Sequence, residues 1–137
     1  MPSQPALVPE KDVQKAILAL LRTKYADGRW DRFTPARFGR GGRRVKSANA
    51  GVADIIGCWR GRYVAIECKR IEGGGGNPDT KKAQTEYAVQ VGNAGGLYIL
   101  ARSIDDVERA MRESFYPDQA CCFEQTERGG SRDPKTR

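Results

Sequence analysis

Two apolar runs with charged residues set into them constrain this chain more than any other feature. Val52 to Trp59 and Tyr63 to Lys69 are strand-like and meet across Gly61, the pattern of a hairpin. Asp54 stands inside the first run, and Glu67 and Lys69 stand at the end of the second. In a strand, residues i and i+2 share a face, so Glu67 and Lys69 project together while Cys68 turns away. Asp54, on the adjacent strand, reaches the same point through the hairpin. Ionised groups are seldom buried without a partner or a metal. An internal ion pair of Lys69 with Glu67 or Asp54 satisfies that rule, and so does a divalent cation. Hard oxygens suit Mg²⁺ or Mn²⁺, and Asp54, Glu67 and the backbone carbonyl of Cys68 form a plausible ligand set. Such an ion polarises a phosphoryl oxygen and acidifies water, with Lys69 orienting that water or stabilising charge in the transition state.

What the chain lacks narrows the chemistry further. It has no histidine, which excludes Ser-His-Asp triads, Cys-His pairs and a histidine base. The four cysteines, Cys58, Cys68, Cys121 and Cys122, form no CxxC pair, so a structural zinc site is not expected. Cys58 and Cys68 sit in apolar runs and read as small buried hydrophobes. No apolar run is long enough for a membrane span and no signal peptide is evident, so a soluble, cytoplasmic protein with no membrane partner is expected.

The partner is written in the charge. Net charge is +7, and residues 29–46 hold seven cations (Arg29, Arg32, Arg37, Arg40, Arg43, Arg44 and Lys46) against the single acid Asp31. A clustered positive field suits a polyanion, because each phosphate contact releases counterions. Glycines at 39, 41 and 42 make the segment loop-like, and Arg37 to Lys46 are the expected DNA contacts. Trp30, Phe33 and Phe38 are too few, and too apolar in context, to suggest an RNA stacking platform.

The remaining periodicities give the elements. Val13, Ile17, Leu20 and Leu21 mark an amphipathic helix from about Glu10 to Tyr25, ended by Asp27-Gly28. Phe33 to Phe38 reads as a strand. Gly73 to Gly76 is a connector and not a P-loop, since no GK[ST] follows. Pro78-Asp79-Thr80 starts a second helix with Ala83, Tyr87 and Val91 on its apolar face, and Gly95-Gly96 closes it. Residues 96–101 read as a short buried strand, and Ser103 caps a third helix carrying Val107, Ala110 and Met111. The expected fold is α/β in the order α-β-β-β-α-β-α, with a mixed central sheet flanked by helices. The strands at 62–69 and 97–101 should be parallel neighbours. Residues 1–9 read as a disordered N-terminus, 10–115 as the domain and 116–137 as an irregular tail. Lys81 and Lys82 fall in a helix's first turn, where the dipole disfavours cations unless a phosphate binds there.

Asp54 followed by Glu67-Cys68-Lys69 resembles the D…(D/E)-x-K signature of the restriction-endonuclease-like superfamily. More narrowly, GVADIIG, YVAIECKR and KKAQTEYAVQVGNAGGLYIL resemble the VRR-NUC nucleases over roughly residues 10–113. The resemblance implies a restriction-endonuclease-like core and a Mg²⁺- or Mn²⁺-dependent DNA endonuclease. It implies selectivity for junction, flap or branched DNA, a role in repair or recombination in a bacterium or phage, and a possible homodimer. It assigns Gln84 to the site as the family's helix glutamine, and Glu10 as an acid of the first helix that reaches the metal. Ala53 departs from the family's usual proline, which removes no ligand. The competing expectation is a non-catalytic DNA-binding module that uses the 29–46 segment alone.

Overall fold

The computed structural model describes residues 8–34, 51–70 and 77–117. It is α/β, with three helices and a four-stranded mixed sheet: α1 (Glu10–Lys24), β1 (Arg29–Arg32), β2 (Ile55–Trp59), β3 (Arg62–Cys68), α2 (Pro78–Asn93), β4 (Leu97–Ala101) and α3 (Ile104–Phe115). Strand order is β1-β2-β3-β4. The first two pairings are antiparallel and β3–β4 is parallel, as the intervening helix requires.

Period-two alternation along β3 sorts the molecule into layers. Val64, Ile66 and Cys68 join Val13, Ile17 and Leu21 of α1 and Val107 and Met111 of α3 in the main core. Ala65 faces the other way, into a smaller cluster with Ala53 and with Val91 and Tyr87 of α2. The sheet is therefore packed by α1 and α3 on one face and by α2 on the other. The tyrosines fasten α2. Tyr87 meets Tyr98 edge-on with ring centroids 6.2 Å apart, and its hydroxyl lies 2.5 Å from that of Tyr63.

Local chemistry explains the helix limits. Pro9 precedes α1, and its carbonyl accepts from Asp12 and Val13. The Asn77 side chain accepts from Asp79 N–H at the start of α2. Ser103 accepts from Asp106 N–H while Asp106 accepts from Arg102 N–H, a reciprocal cap on α3.

Several expectations change. The first strand among the described residues lies at Arg29–Arg32, ahead of the Phe33 to Phe38 run expected to form one. It pairs there because Trp30 sits opposite Gly57, and a Cβ on Gly57 would overlap the Arg29 carbonyl and the Trp30 ring. Phe33 adds one more backbone hydrogen bond, to the Asp54 carbonyl at 2.8 Å. Residues 35–38 lie outside the described residues. Cys58 is exposed, because its side chain falls on the α2 face beyond the reach of that helix's apolar residues. β4 is buried on one face only, and Leu100 is 48% exposed on the other. Among the described residues, no helix is long and apolar enough to cross a membrane.

Candidate active site

The ladder between β2 and β3 pairs Ile55 with Ile66. Continued by one residue, the register sets Asp54 opposite Glu67, at the end of the sheet where β2 begins and β3 finishes. Directly opposed residues of an antiparallel pair share a face and lie close together. The hairpin thus places two carboxyl groups side by side, although they are well separated in sequence.

Each carboxyl group is held. Asp54 Oδ2 accepts from the backbone N–H of Cys68 at 2.8 Å. Lys69 Nζ donates to Glu67 Oε1 at 3.0 Å, and Gln84 Nε2 donates to the same oxygen at 2.6 Å. Lys69 Nζ also lies 3.2 Å from Gln84 Oε1, so that Glu67, Lys69 and Gln84 each touch the other two. Glu67 is largely buried, with its side chain 6% exposed, while that of Lys69 is 33% exposed. The internal ion pair expected as an alternative to a metal is therefore present. It leaves Asp54 out and draws in a residue from a different element.

The backbone of Cys68 also faces the site. Lys69 N–H donates to Ala101 across the β4 side. Neighbouring residues of a strand direct their backbone groups to opposite edges. Cys68 therefore presents both its N–H and its carbonyl toward Asp54. Its side chain packs in the main core, and burial, followed by the nearby carboxylates, pushes its thiol up to about 12. Cys68 enters the site through its main chain alone.

Electrostatics follow from this crowding. Burial raises the Asp54 carboxyl above its ordinary value, against the stabilising Cys68 N–H and the charges of Lys69 and Arg32. Burial raises Glu67 as well, and the facing Asp54 adds to the rise. Two groups raised in this way bind protons more readily in the folded state than in the unfolded chain. Their contribution to stability is complete below the ordinary carboxylate range and is lost as pH rises through the folded values. Facing carboxyl groups raised by burial and by each other's charge are a feature common at functional sites.

Gln84 is held by close packing behind it. Gly51, at φ +85°, brings the segment before Asp54 against α2, and a Cβ there would lie 2.5 Å from the Ala83 backbone and 2.9 Å from Gln84 N. One short segment therefore sets Asp54 and Gln84 relative to each other.

The structure brings together Asp54, Glu67, Lys69 and Gln84, with the Cys68 backbone. Glu10 lies within range of the site, and its charge raises Glu67 and Cys68. It does not complete a cluster: among the described residues, no three Asp, Glu or Cys side chains are gathered closely enough to hold a metal ion. Lys81 and Lys82 are exposed on α2. Lys81, three residues before Gln84, is on the same side of the helix, and Lys82 is not. Arg37, Arg40, Arg43, Arg44 and Lys46 lie outside the described residues.

Two residues at the site carry little signal in the sequence. Arg32 acts on Asp54 from β1. Gln14, on α1, is buried beside Asp54 and helps to stabilise its charged form. Its one sign is a polar residue next to the Val13 and Ile17 stripe, one turn after Glu10. Comparisons of this chain with family models, with curated proteins and with solved structures find no match. The functional reading therefore rests on the motifs and on this geometry.

Proposed function

We propose that the protein is a Mg²⁺- or Mn²⁺-dependent deoxyribonuclease built on a restriction-endonuclease-like core, related to the VRR-NUC nucleases. The observation that carries this reading is the opposition of Asp54 and Glu67 at the sheet end, with Lys69 and Gln84 both fixed on Glu67. A purely structural ion pair needs one carboxylate. The second, half-buried and facing it, stands outside that pair and opposes the charge of Glu67.

The donor set fits a small hard cation. Mg²⁺ is usually held by one or two carboxylates and keeps part of its water shell. Asp54, Glu67 and the Cys68 carbonyl would hold it, and two facing carboxylates lose their mutual repulsion in doing so. The ion supplies Lewis-acid polarisation of a phosphodiester and a lower pKa for attacking water. The chain supplies the positioning. Gln84 keeps Glu67 Oε1 in place, Cys68 N–H keeps Asp54 Oδ2 in place, and Lys69, a third exposed, presents its ammonium to a phosphate oxygen as negative charge develops.

DNA is the substrate class that the basic 29–46 segment supports. Arg32, in the described part of that segment, already lies in the field of Asp54. Selectivity for branched DNA and assembly as a homodimer belong to this proposal through the family resemblance. The test is incubation with linear, single-stranded, flap and junction DNAs in Mg²⁺, Mn²⁺ or EDTA. Cleavage should require the metal. Undiminished cleavage in EDTA would falsify the metal assignment, and binding without cleavage on every substrate would leave a DNA-binding module.

A further inference from the structure

We infer that Gln14 is a neutral oxygen donor of this site, serving the same divalent cation as Asp54 and Glu67. The inference rests on the metal-site reading above and extends it to a residue on α1. Gln14 is only 8% exposed. Its Oε1 is buried and has no hydrogen-bond partner among the described residues.

A buried carbonyl without a donor is unfavourable, and such groups are rare enough that each has a cause. Packing alone does not supply one. The neighbouring positions on α1 are Val13 and Ile17, and methionine would fill the same space without a polar atom. The amide must therefore be used at both ends. One end acts on Asp54, where it favours the charged carboxylate, as an N–H donor does. Flipping the amide would set oxygen against carboxylate oxygen, so the orientation is determined. The other end is an oxygen lacking an electron-pair acceptor. A divalent cation, or its water shell, is that acceptor.

The choice of amide over carboxylate also follows. Asp54 and Glu67 already repel each other, and Glu10 stands one turn before Gln14 and adds to the negative field. A neutral oxygen adds coordination without adding charge. Side-chain amide oxygens serve hard cations in this way.

The experiment compares the wild-type protein with Gln14→Met and Gln14→Glu. Mn²⁺ binding is measured by titration calorimetry, and melting temperature is measured in EDTA. Gln14→Met removes both the unsatisfied oxygen and the donation to Asp54, so its melting temperature in EDTA reports their balance; it should bind Mn²⁺ at least about tenfold more weakly. Gln14→Glu should retain wild-type affinity or better and melt lower in EDTA, because it adds a carboxylate to a repelling pair. Unchanged Mn²⁺ affinity of Gln14→Met, whatever its melting temperature, makes Gln14 a packing residue and overturns the inference alone. Should Gln14→Met not fold, about tenfold weaker Mn²⁺ binding by Gln14→Glu overturns it equally. Absence of Mn²⁺ binding by the wild type overturns the metal site itself.

Discussion

Replacing Lys69 with methionine removes the cation from a buried carboxylate and leaves only the Gln84 amide on Glu67 Oε1. Hydrogen bonds to charged groups contribute roughly 1.5–3 kcal/mol. The penalty also has a ceiling, because Glu67 can escape it by taking up a proton. From the ordinary glutamate value of 4.5 to pH 7, at about 1.36 kcal/mol per pH unit, the whole cost is about 3.4 kcal/mol, and the ceiling lies below it because Glu67 is already raised in the wild type. Lys69→Met should therefore cost roughly 2–3 kcal/mol at pH 7 without metal. The sign of the pH dependence follows from linkage. Losing Lys69 raises Glu67 further in the folded state, which then holds a proton the unfolded chain has released. The variant's deficit should be small near pH 4 and grow as pH rises through the window above 4.5. Glu67→Gln should cost less, within about 1 kcal/mol, because Lys69 is 33% exposed and can turn to water. Urea denaturation in EDTA, from about pH 4 to about pH 7.5, measures both. A pH-independent deficit for Lys69→Met, or a larger cost for Glu67→Gln, would refute the reasoning.

Asp54→Ala and Glu67→Ala should each abolish cleavage while preserving DNA binding, since each removes a proposed metal ligand and lessens repulsion of phosphate; near wild-type cleavage by either variant would remove that residue from the site. Gly51→Ala should lose roughly 2–4 kcal/mol, from positive-φ strain together with overlap on the α2 backbone. Gly61→Ala, with nothing within 4 Å of its Cβ, should lose only about 1–2 kcal/mol from the strain. Equal losses in chemical denaturation would show that the packing of Gly51 on Ala83 is not tight. Neutralising Arg40, Arg43 and Arg44 should flatten the slope of log K against log salt by about 0.9 for each duplex phosphate that the variant no longer neutralises. An unchanged slope, measured on a Glu67→Ala background, would move the DNA-binding face elsewhere, with Lys81 and Lys82 the next candidates.

The hairpin, the parallel crossover and the helices are legible in the sequence because each depends on local periodicity and turn chemistry. Val13, Ile17 and Leu21 repeat at helical spacing, and Gly61 stands between two strand-like runs. The pairing of Glu67 with Lys69 is equally legible, since alternation along one strand suffices to join them. The first strand is not, because its position depends on a partner: Trp30 is admitted only where Gly57 leaves room for its ring. The exposure of Cys58 and Leu100 is hidden for a similar reason. An apolar run shows that a strand can be buried, while the reach of α2 across the sheet decides which of its faces is covered. Gln84 is indicated by family resemblance alone, for nothing in its own neighbourhood separates it from a solvated helix glutamine. The docking of α2, through its tyrosine contacts and the close approach of Gly51, brings it 2.6 Å from Glu67. Gln14 lies further out of sight. A polar residue beside an apolar stripe becomes meaningful once α1 is docked on the sheet, because burial and the absence of a partner are properties of the assembled layers.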